Sequence, residues 1–244
     1  MAHRSTPADR ISEHAAVGLV GASGRLGTAI AQALADAGTP VVPGFGRSDD
    51  WSAAPVPGVL IDAATADACA RTADYCRAHG IRLISCASAL DEESVELIAL
   101  AAREIPVVRA TNLSLGHWLQ RRAMAEIARA RAAFPENAGS AVAERHPVTK
   151  RDRPSASALG LAGHWNRLTG QQAGVDARRG GLAVSEHLFE LTLGRETLTL
   201  HHDVRDLGAP ARGAVLAAGW IRRAAPGLWS MDDVYEDFIA RERA

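Results

Sequence analysis

Lysine is nearly absent from this chain. Of the 27 Lys and Arg residues among 244, Lys150 is the only lysine and the rest are arginine. Aromatic residues are sparse, at 5%, and the five tryptophans form no stacking array. Cysteine is limited to Cys69, Cys76 and Cys86, an odd number without C-x-x-C spacing, which argues against a disulfide framework or a cysteine zinc site. No apolar run reaches the ~18 residues of a membrane span. Residues 1–14 are polar and lack the apolar segment of a secretory signal, so they read as a frayed tail. A net charge of −1 leaves no excess for nucleic acid or polyanions. No internal repeat is visible. The expectation is a soluble cytoplasmic protein, with 47% hydrophobic residues to build one large domain or two small ones.

What is present begins with a strand over residues 15–20 and the turn Gly21-Ala-Ser-Gly-Arg-Leu-Gly27. A helix over 28–37 follows, stopped by Gly38. Strand, G-x-x-G-x-x-G turn and helix is the context in which a glycine motif means dinucleotide binding. Gly21 allows the tight turn, Gly24 lets the backbone approach a pyrophosphate, and Gly27 lets helix and strand pack closely. Gly21, Ser23, Gly24, Arg25, Leu26 and Gly27 are therefore candidate cofactor residues. The second strand, 40–45, ends at Gly46 and Arg47. NAD-preferring folds carry an acid there for the ribose 2′-OH. A guanidinium in that place favours NADPH, with NADH the alternative if Asp49 or Asp50 takes the ribose.

Strands over 59–62, 81–85 and 105–108 alternate with helices over 65–79 and 91–103, the pattern of a parallel doubly wound sheet. Ligands lie at the carboxyl ends of such strands. That adds Ala64, Ser88, Ala110, Asn112 and Leu113 to the cofactor candidates, although Ser88 and Asn112 could equally cap helices. Asp62 and Asp91 read as caps rather than catalytic acids.

The domain changes near residue 113. A helix over 115–133 and a strand over 140–144 lead into Glu144-Arg-His-Pro-Val-Thr-Lys-Arg-Asp-Arg-Pro-Ser-Ala-Ser157. Pro147 and Pro154 keep their preceding residues out of the helical region, so this is a strand end and loop. Lys differs from Arg where a compact charge or a shiftable pKa is needed. His146, four residues earlier, is the side chain suited to proton donation near neutrality. A helix follows with Ser155 near its N-cap, and the N–H groups of Ala156 and Ser157 suit an anion. His146 and Lys150 are thus the catalytic candidates for a carboxylate substrate that needs a proton. Arg179 either binds a carboxylate or sits on the surface. Residues 170–181 read as a loop, 182–193 and 196–202 as strands, and 210–223 as a helix. Residues 229–239 read as a strand or helix packing back on the first domain. His187, His201 and His202 lack a ligand set of known spacing, so no metal is expected.

Several of these strings together resemble the dihydrodipicolinate reductase family. Gly21–Gly27 is similar to its G-A-x-G-R-M-G, 110–116 to A-x-N-x-S-x-G, and 144–155 to E-x-H-H-x-x-K-x-D-x-P-S. Arg179-Gly-Gly181 and Ser185-Glu-His187 resemble its R-x-G and G-E-H. The resemblance implies an N-terminal Rossmann domain (15–112), a C-terminal α+β mixed-sheet domain for substrate and oligomerisation (113–208), and a terminal segment (209–244) against the first domain. It also implies a homotetramer and hydride transfer from NAD(P)H to a small carboxylated cyclic imine, with His146 as proton donor and Lys150 on the substrate. Ser155, Ala156, Ser157 and Arg179 fall at substrate-binding positions. The family's second His is Pro147 here, and its Gly-Thr after Pro-Ser is Ala156-Ser157. A related imine is therefore expected as substrate. The alternatives are the standard enzyme or a non-catalytic NADP(H)-binding protein.

Overall fold

Val17–Val20 (β1) is apolar or glycine at every position and buried at every position, as a central strand of a parallel sheet must be. The computed structural model describes residues 16–87, 90–133, 138–181 and 184–242, so the 1–14 tail and Ser88 lie outside the described residues. The chain divides into two compact units, 1–113 with 210–244, and 114–209.

In the first unit β1 is followed by α1 (Arg25–Asp36), which buries Gly27, Ile30 and Leu34 along one stripe. Its helix starts at Arg25 rather than at residue 28. β2 is only Val41–Val42, because Pro43 and the left-handed Gly44 (φ 98°) end the pairing expected to reach 45. β3 (Val59–Asp62), α2 (Cys69–His79), β4 (Arg82–Ser85), α3 (Glu92–Ala101) and β5 (Pro106–Arg109) continue the alternation. Asp91 caps α3 by accepting from Ser94 N–H at 2.8 Å, whereas Asp62, expected as a cap, ends β3 and closes a turn by accepting from Ala64 N–H at 2.9 Å, so it caps no helix.

The second unit contains α4 (Leu115–Arg131), β6 (Ala138–His146), α5 (Ala156–Thr169), β7 (Gly174–Arg179), β8 (Ser185–Leu193) and β9 (Glu196–Val204). Its sheet order is β7-β6-β8-β9, with β6 and β7 parallel and the other pairs antiparallel. β7 corrects the loop expected over 170–181. It is an edge strand reading Gly-Val-Asp-Ala-Arg-Arg, whose inward face is Val175, Ala177 and the charged Arg179, so its alternation is short and weak in hydropathy. The core under α4 and α5 gathers Met124, Val142, Leu161, Trp165, Phe189 and Leu191, with the Trp165 and Phe189 rings 4.8 Å apart.

After α6 (Gly208–Trp220), β10 (Gly227–Ser230) pairs in parallel with β5 and extends the first sheet to six strands, β2-β1-β3-β4-β5-β10. α7 (Met231–Glu242) closes the chain. The stretch read as strand or helix over 229–239 is therefore the end of a strand followed by a helix. Among the described residues no helix is long and apolar enough to cross a membrane.

Candidate active site

The first unit presents a cleft at the carboxyl ends of β1, β2 and β3. Its volume is about 910 Å³, and its lining includes Gly21, Ser23, Gly24, Arg47, Ala64 and Arg71. The glycines there fit a dinucleotide loop. Gly21 has φ 76°, and a Cβ on it would lie 2.8 Å from Ala64 N. A Cβ on Gly27 would lie 2.0 Å from Gly21 O, so no side chain is admitted where α1 meets the turn. Gly24 stands at the N-cap without a side chain to cover the first N–H groups of α1, which leaves that end suited to a pyrophosphate.

The acids near the end of β2 are engaged by their own loop. Asp49 accepts from Gly46 N–H at 2.7 Å, and Asp50 from Ser52 N–H at 3.0 Å and its hydroxyl at 2.6 Å. Arg71 lies over the Trp51 ring at 4.0 Å and donates to the carbonyls of Arg47 and Asp49. Other expected cofactor residues lie outside this lining. Arg25 and Leu26 sit in the first turn of α1, Ala110 is buried, and Asn112 is half-buried. Leu113 is buried, with its carbonyl accepting from Tyr235 Oη at 2.7 Å. That carbonyl is therefore held by the protein's own hydroxyl, from a tyrosine 122 residues further along the chain.

In the second unit the site follows from strand alternation. Val142, Glu144 and His146 share one face of β6. Cross-strand register sets Val142 opposite Phe189 and Glu144 opposite His187, and β9 continues the row with His202 opposite His187. The buried face is thus apolar along its middle and becomes polar toward the carboxyl end of β6. Glu144 has no side-chain exposure. Its Oε1 accepts from Ser155 N–H and Arg179 Nη1, both at 3.0 Å, and its Oε2 accepts a short bond from Ser155 Oγ. Burial raises the Glu144 pKa, but the Ser155 bonds, Arg179 and neighbouring His146 outweigh it and leave the group below the usual carboxylate value. It is an internal anion.

His146 places Nδ1 3.2 Å from Val184 O. Its Nε2 lies 3.2 Å from Glu144 Oε2 but lacks the alignment of a hydrogen bond, and has no such partner among the described residues. Burial lowers its pKa and Glu144 raises it, while the charges of Lys150 and Arg179 lower it, and the balance falls below the ordinary histidine value. Lys150 is a quarter exposed and pairs with Asp152 Oδ1 at 2.9 Å. Its backbone N–H closes a turn onto Pro147 O at 3.0 Å.

The expected substrate contacts divide. Ser155 is buried and caps α5, accepting from Ala158 N–H at 3.1 Å while bonding Glu144. Arg179 is nearly enclosed and donates to Glu144 and to the carbonyls of Lys150, Asp152 and Arg178. In this structure these two hold Glu144 and the Lys150 loop. Ala156 and Ser157 are partly exposed in the first turn of α5.

Glu144 was missed as a site residue. Its period-two spacing with Val142 and His146 was the available signal, obscured because a strand-end glutamate is ordinarily solvated. His117 was also missed. Its ring centroid lies 5.8 Å from that of His187 and 6.1 Å from that of His202. His201, by contrast, points to the surface and lies 3.1 Å from Glu186 Oε1, so the trio 187, 201 and 202 does not assemble.

Comparison with known proteins agrees with both units. The model described as dihydrodipicolinate reductase, N-terminus, matches residues 15–113, and that described as dihydrodipicolinate reductase, C-terminus, matches 119–235. The 4-hydroxy-tetrahydrodipicolinate reductase of Acidiphilium cryptum is 32% identical over 239 residues, covering 89% of this chain and 96% of the relative. That of Caulobacter vibrioides is 31% identical over 255 residues, covering 92% and 98%. A dipicolinate-bound dihydrodipicolinate reductase from Paenisporosarcina sp. TG-14 superposes with a TM-score of 0.68 at 16% identity, covering 88% of this chain and 97% of that one, a likeness of fold.

Proposed function

The chain belongs to the dihydrodipicolinate reductase family and is an NAD(P)H-dependent oxidoreductase, and from that premise we propose that it reduces a C=N or conjugated C=C bond in a small carboxylated cyclic imine, with NADPH as reductant. The observation that carries the proposal is His146 Nε2, a buried nitrogen with unmet hydrogen-bonding capacity beside an ionised carboxylate, on the strand that leads into the Lys150 loop. The reduced nicotinamide, when bound, supplies the hydride.

The chain's own groups supply the rest. Gly21, Ser23, Gly24 and Gly27 shape the pyrophosphate turn. NADPH is favoured because Asp49 and Asp50 are held by Gly46 and Ser52, while Arg47 is exposed at the rim. His146 gives its proton from Nε2. As an imidazolium it keeps Nδ1–H on Val184 O and is stabilised by Glu144. Lys150 opposes that protonation in the free protein. A substrate carboxylate bound by Lys150 cancels the opposition and raises the His146 pKa, so substrate binding primes the acid. The remaining substrate contacts are assigned to the first turn of α5 at Ala156 and Ser157. Pro147 offers no side-chain donor, which supports a substrate that differs from the family's usual dicarboxylate. The same proposal places the protein in the cytoplasm as a homotetramer, which light scattering of the purified chain tests.

Identity of 31–32% across nearly the whole length favours a second reading, in which the substrate is that of the 4-hydroxy-tetrahydrodipicolinate reductases. NADPH oxidation measured with that compound and with a series of cyclic imine monocarboxylates separates the two readings. With whichever substrate is turned over, His146→Ala lowers turnover ~10²–10⁴-fold with NADPH affinity unchanged. Undiminished turnover removes His146 from the chemistry.

A further inference from the structure

The polar row that begins at Glu144 does not stop at His187. Across β8 and β9 it reaches His202, and the first turn of α4 lowers His117 onto it. One ring nitrogen from each of His117, His187 and His202 lies within 4.8 Å of the others. We propose that these three imidazoles form a binding site for a divalent first-row transition ion of the Zn²⁺ kind, independent of the reductase reading.

Three observations support the site. The first is unmet capacity. His117 is 7% exposed, and its Nδ1 is buried without a hydrogen-bond partner among the described residues, as is His202 Nδ1. Buried polar nitrogens ordinarily find partners, and two orphans in one cluster of three imidazoles call for an electrophile among them. The second is an outer shell of the kind that orients metal-binding histidines. His202 Nε2 is 3.0 Å from Ser114 Oγ, leaving Nδ1 as its open nitrogen, and His187 Nδ1 is 3.2 Å from Ser185 Oγ, so that His187 would ligate through Nε2 by giving up its 3.4 Å contact with Ser155 Oγ. The third is room made for the rings. A Cβ on Gly116 would lie 2.7 Å from His202 Cδ2, so glycine there allows the ring to approach α4.

The charge state agrees with this geometry. Burial, followed by the neighbouring imidazoles, pushes His117 down to about 3. Burial likewise carries His187 down to about 3, so both rings are neutral and able to ligate at pH 7. An all-nitrogen donor set selects against Mg²⁺ and Ca²⁺ and suits Zn²⁺, Co²⁺, Ni²⁺ or Cu²⁺. Tetrahedral Zn²⁺ with ligands at 2.0–2.1 Å needs nitrogens about 3.4 Å apart. Binding therefore requires the three nitrogens, now within 4.8 Å of one another, to draw together. A bound ion would tie the first turn of α4 to β8 and β9.

The test uses the full chain, stripped with EDTA and dialysed, and titrated with ZnSO4 by calorimetry. One Zn²⁺ per chain is expected, together with a rise in melting temperature and shifts in the imidazole NMR signals of three histidines. Co²⁺ should give the visible bands of a low-coordinate nitrogen site. His117→Ala and His202→Ala, each checked for folding by circular dichroism, should weaken Zn²⁺ binding by at least the ~10–100-fold that loss of an outer-shell partner alone costs. His201→Ala should bind as the parent does. The wild-type NMR readout stands even if a variant fails to fold. Absence of stoichiometric binding overturns the proposal. So does binding that survives both substitutions, or binding abolished by Glu144→Gln but not by His117→Ala, which would place the ion at the other cluster of Glu144, His146 and His187.

Discussion

Replacing Glu144 is the sharpest probe of how this site is held. Its carboxylate is fully enclosed and accepts from the Ser155 N–H, the Ser155 hydroxyl and Arg179 Nη1. Glu144→Ala removes all three acceptors and leaves a nearly enclosed guanidinium without its counter-ion. Breaking a buried pair from one side costs about 3–5 kcal/mol, a large part of the 5–15 kcal/mol that holds an ordinary domain. Glu144→Gln keeps volume and one acceptor oxygen but loses the charge. Charge-assisted bonds contribute about 1.5–3 kcal/mol against about 1 for neutral ones, so each of the three bonds weakens by about 0.5–2 kcal/mol and the expected cost is at least about 1.5 kcal/mol. Urea unfolding followed by tryptophan fluorescence and circular dichroism reads both values. The pH dependence has a fixed sign. The Glu144 pKa is lowered on folding, so its contribution is whole above the unfolded value of about 4.3 and is lost as pH falls through the folded value. The deficit of Glu144→Gln should therefore be constant from neutrality down to about pH 5 and shrink below that. A Glu144→Gln/Arg179→Met double variant should recover about 1 kcal/mol or more relative to additivity. The reasoning fails if Glu144→Gln lies within about 0.5 kcal/mol of the parent and the double variant is additive.

Lys150→Arg keeps the charge but loses the compact ammonium, and steady-state kinetics should show turnover reduced at least tenfold, about 1.4 kcal/mol in the barrier. Gly27→Ala sets a methyl 2.0 Å from Gly21 O and should abolish NADPH binding by fluorescence titration, with the second unit's near-ultraviolet spectrum retained. Phe189→Ala removes a fully buried ring packed on Trp165 and should cost about 3–5 kcal/mol by urea unfolding. Asp62 behaves in the opposite sense to Glu144. Burial raises its pKa despite the Ala64 N–H, so its folded form keeps a proton that the unfolded chain has released, and stability falls as pH rises from about 4 to the folded value. Asp62→Asn should remove that slope in parallel urea series and match or exceed the parent at pH 7.

The sequence carried the first unit well, because each feature was local. The apolar run 17–20, three glycines at fixed spacing and the amphipathic stretch behind them state strand, turn and helix within twenty residues. The second unit was legible only in part. Ser155 as a helix cap and the His146 strand end are local facts and could be read. β7 could not, since its period-two alternation rests on Val175 and Ala177 alone, with Arg179 at the third inward position. Arg179 showed its charge but not its partner, because Glu144 is 35 residues away along the chain. His117 joins His187 and His202 through a helix turn and two strand registers, a coincidence that no spacing in sequence encodes.

The parallel pairing of β6 with β7 makes β6, α5 and β7 a strand–helix–strand unit of the kind that the first unit builds repeatedly, beginning with β1, α1 and β2. Helices α1 and α5 thus start from the same topological setting, with their N-terminal ends furnished differently. The first opens on bare glycine backbone, ready for an outside anion. The second has that role filled from within, by a glutamate of the strand that feeds it. A ligand cannot claim the Ser155 N–H without displacing Glu144. On the proposed function, selectivity for the reactant would then reside in the connecting residues 147–154 and the side chains just past the cap. That segment is not independent of the internal anion, because Arg179 ties the carbonyls of Lys150 and Asp152 to Glu144, so a change in its length would be felt at the carboxylate.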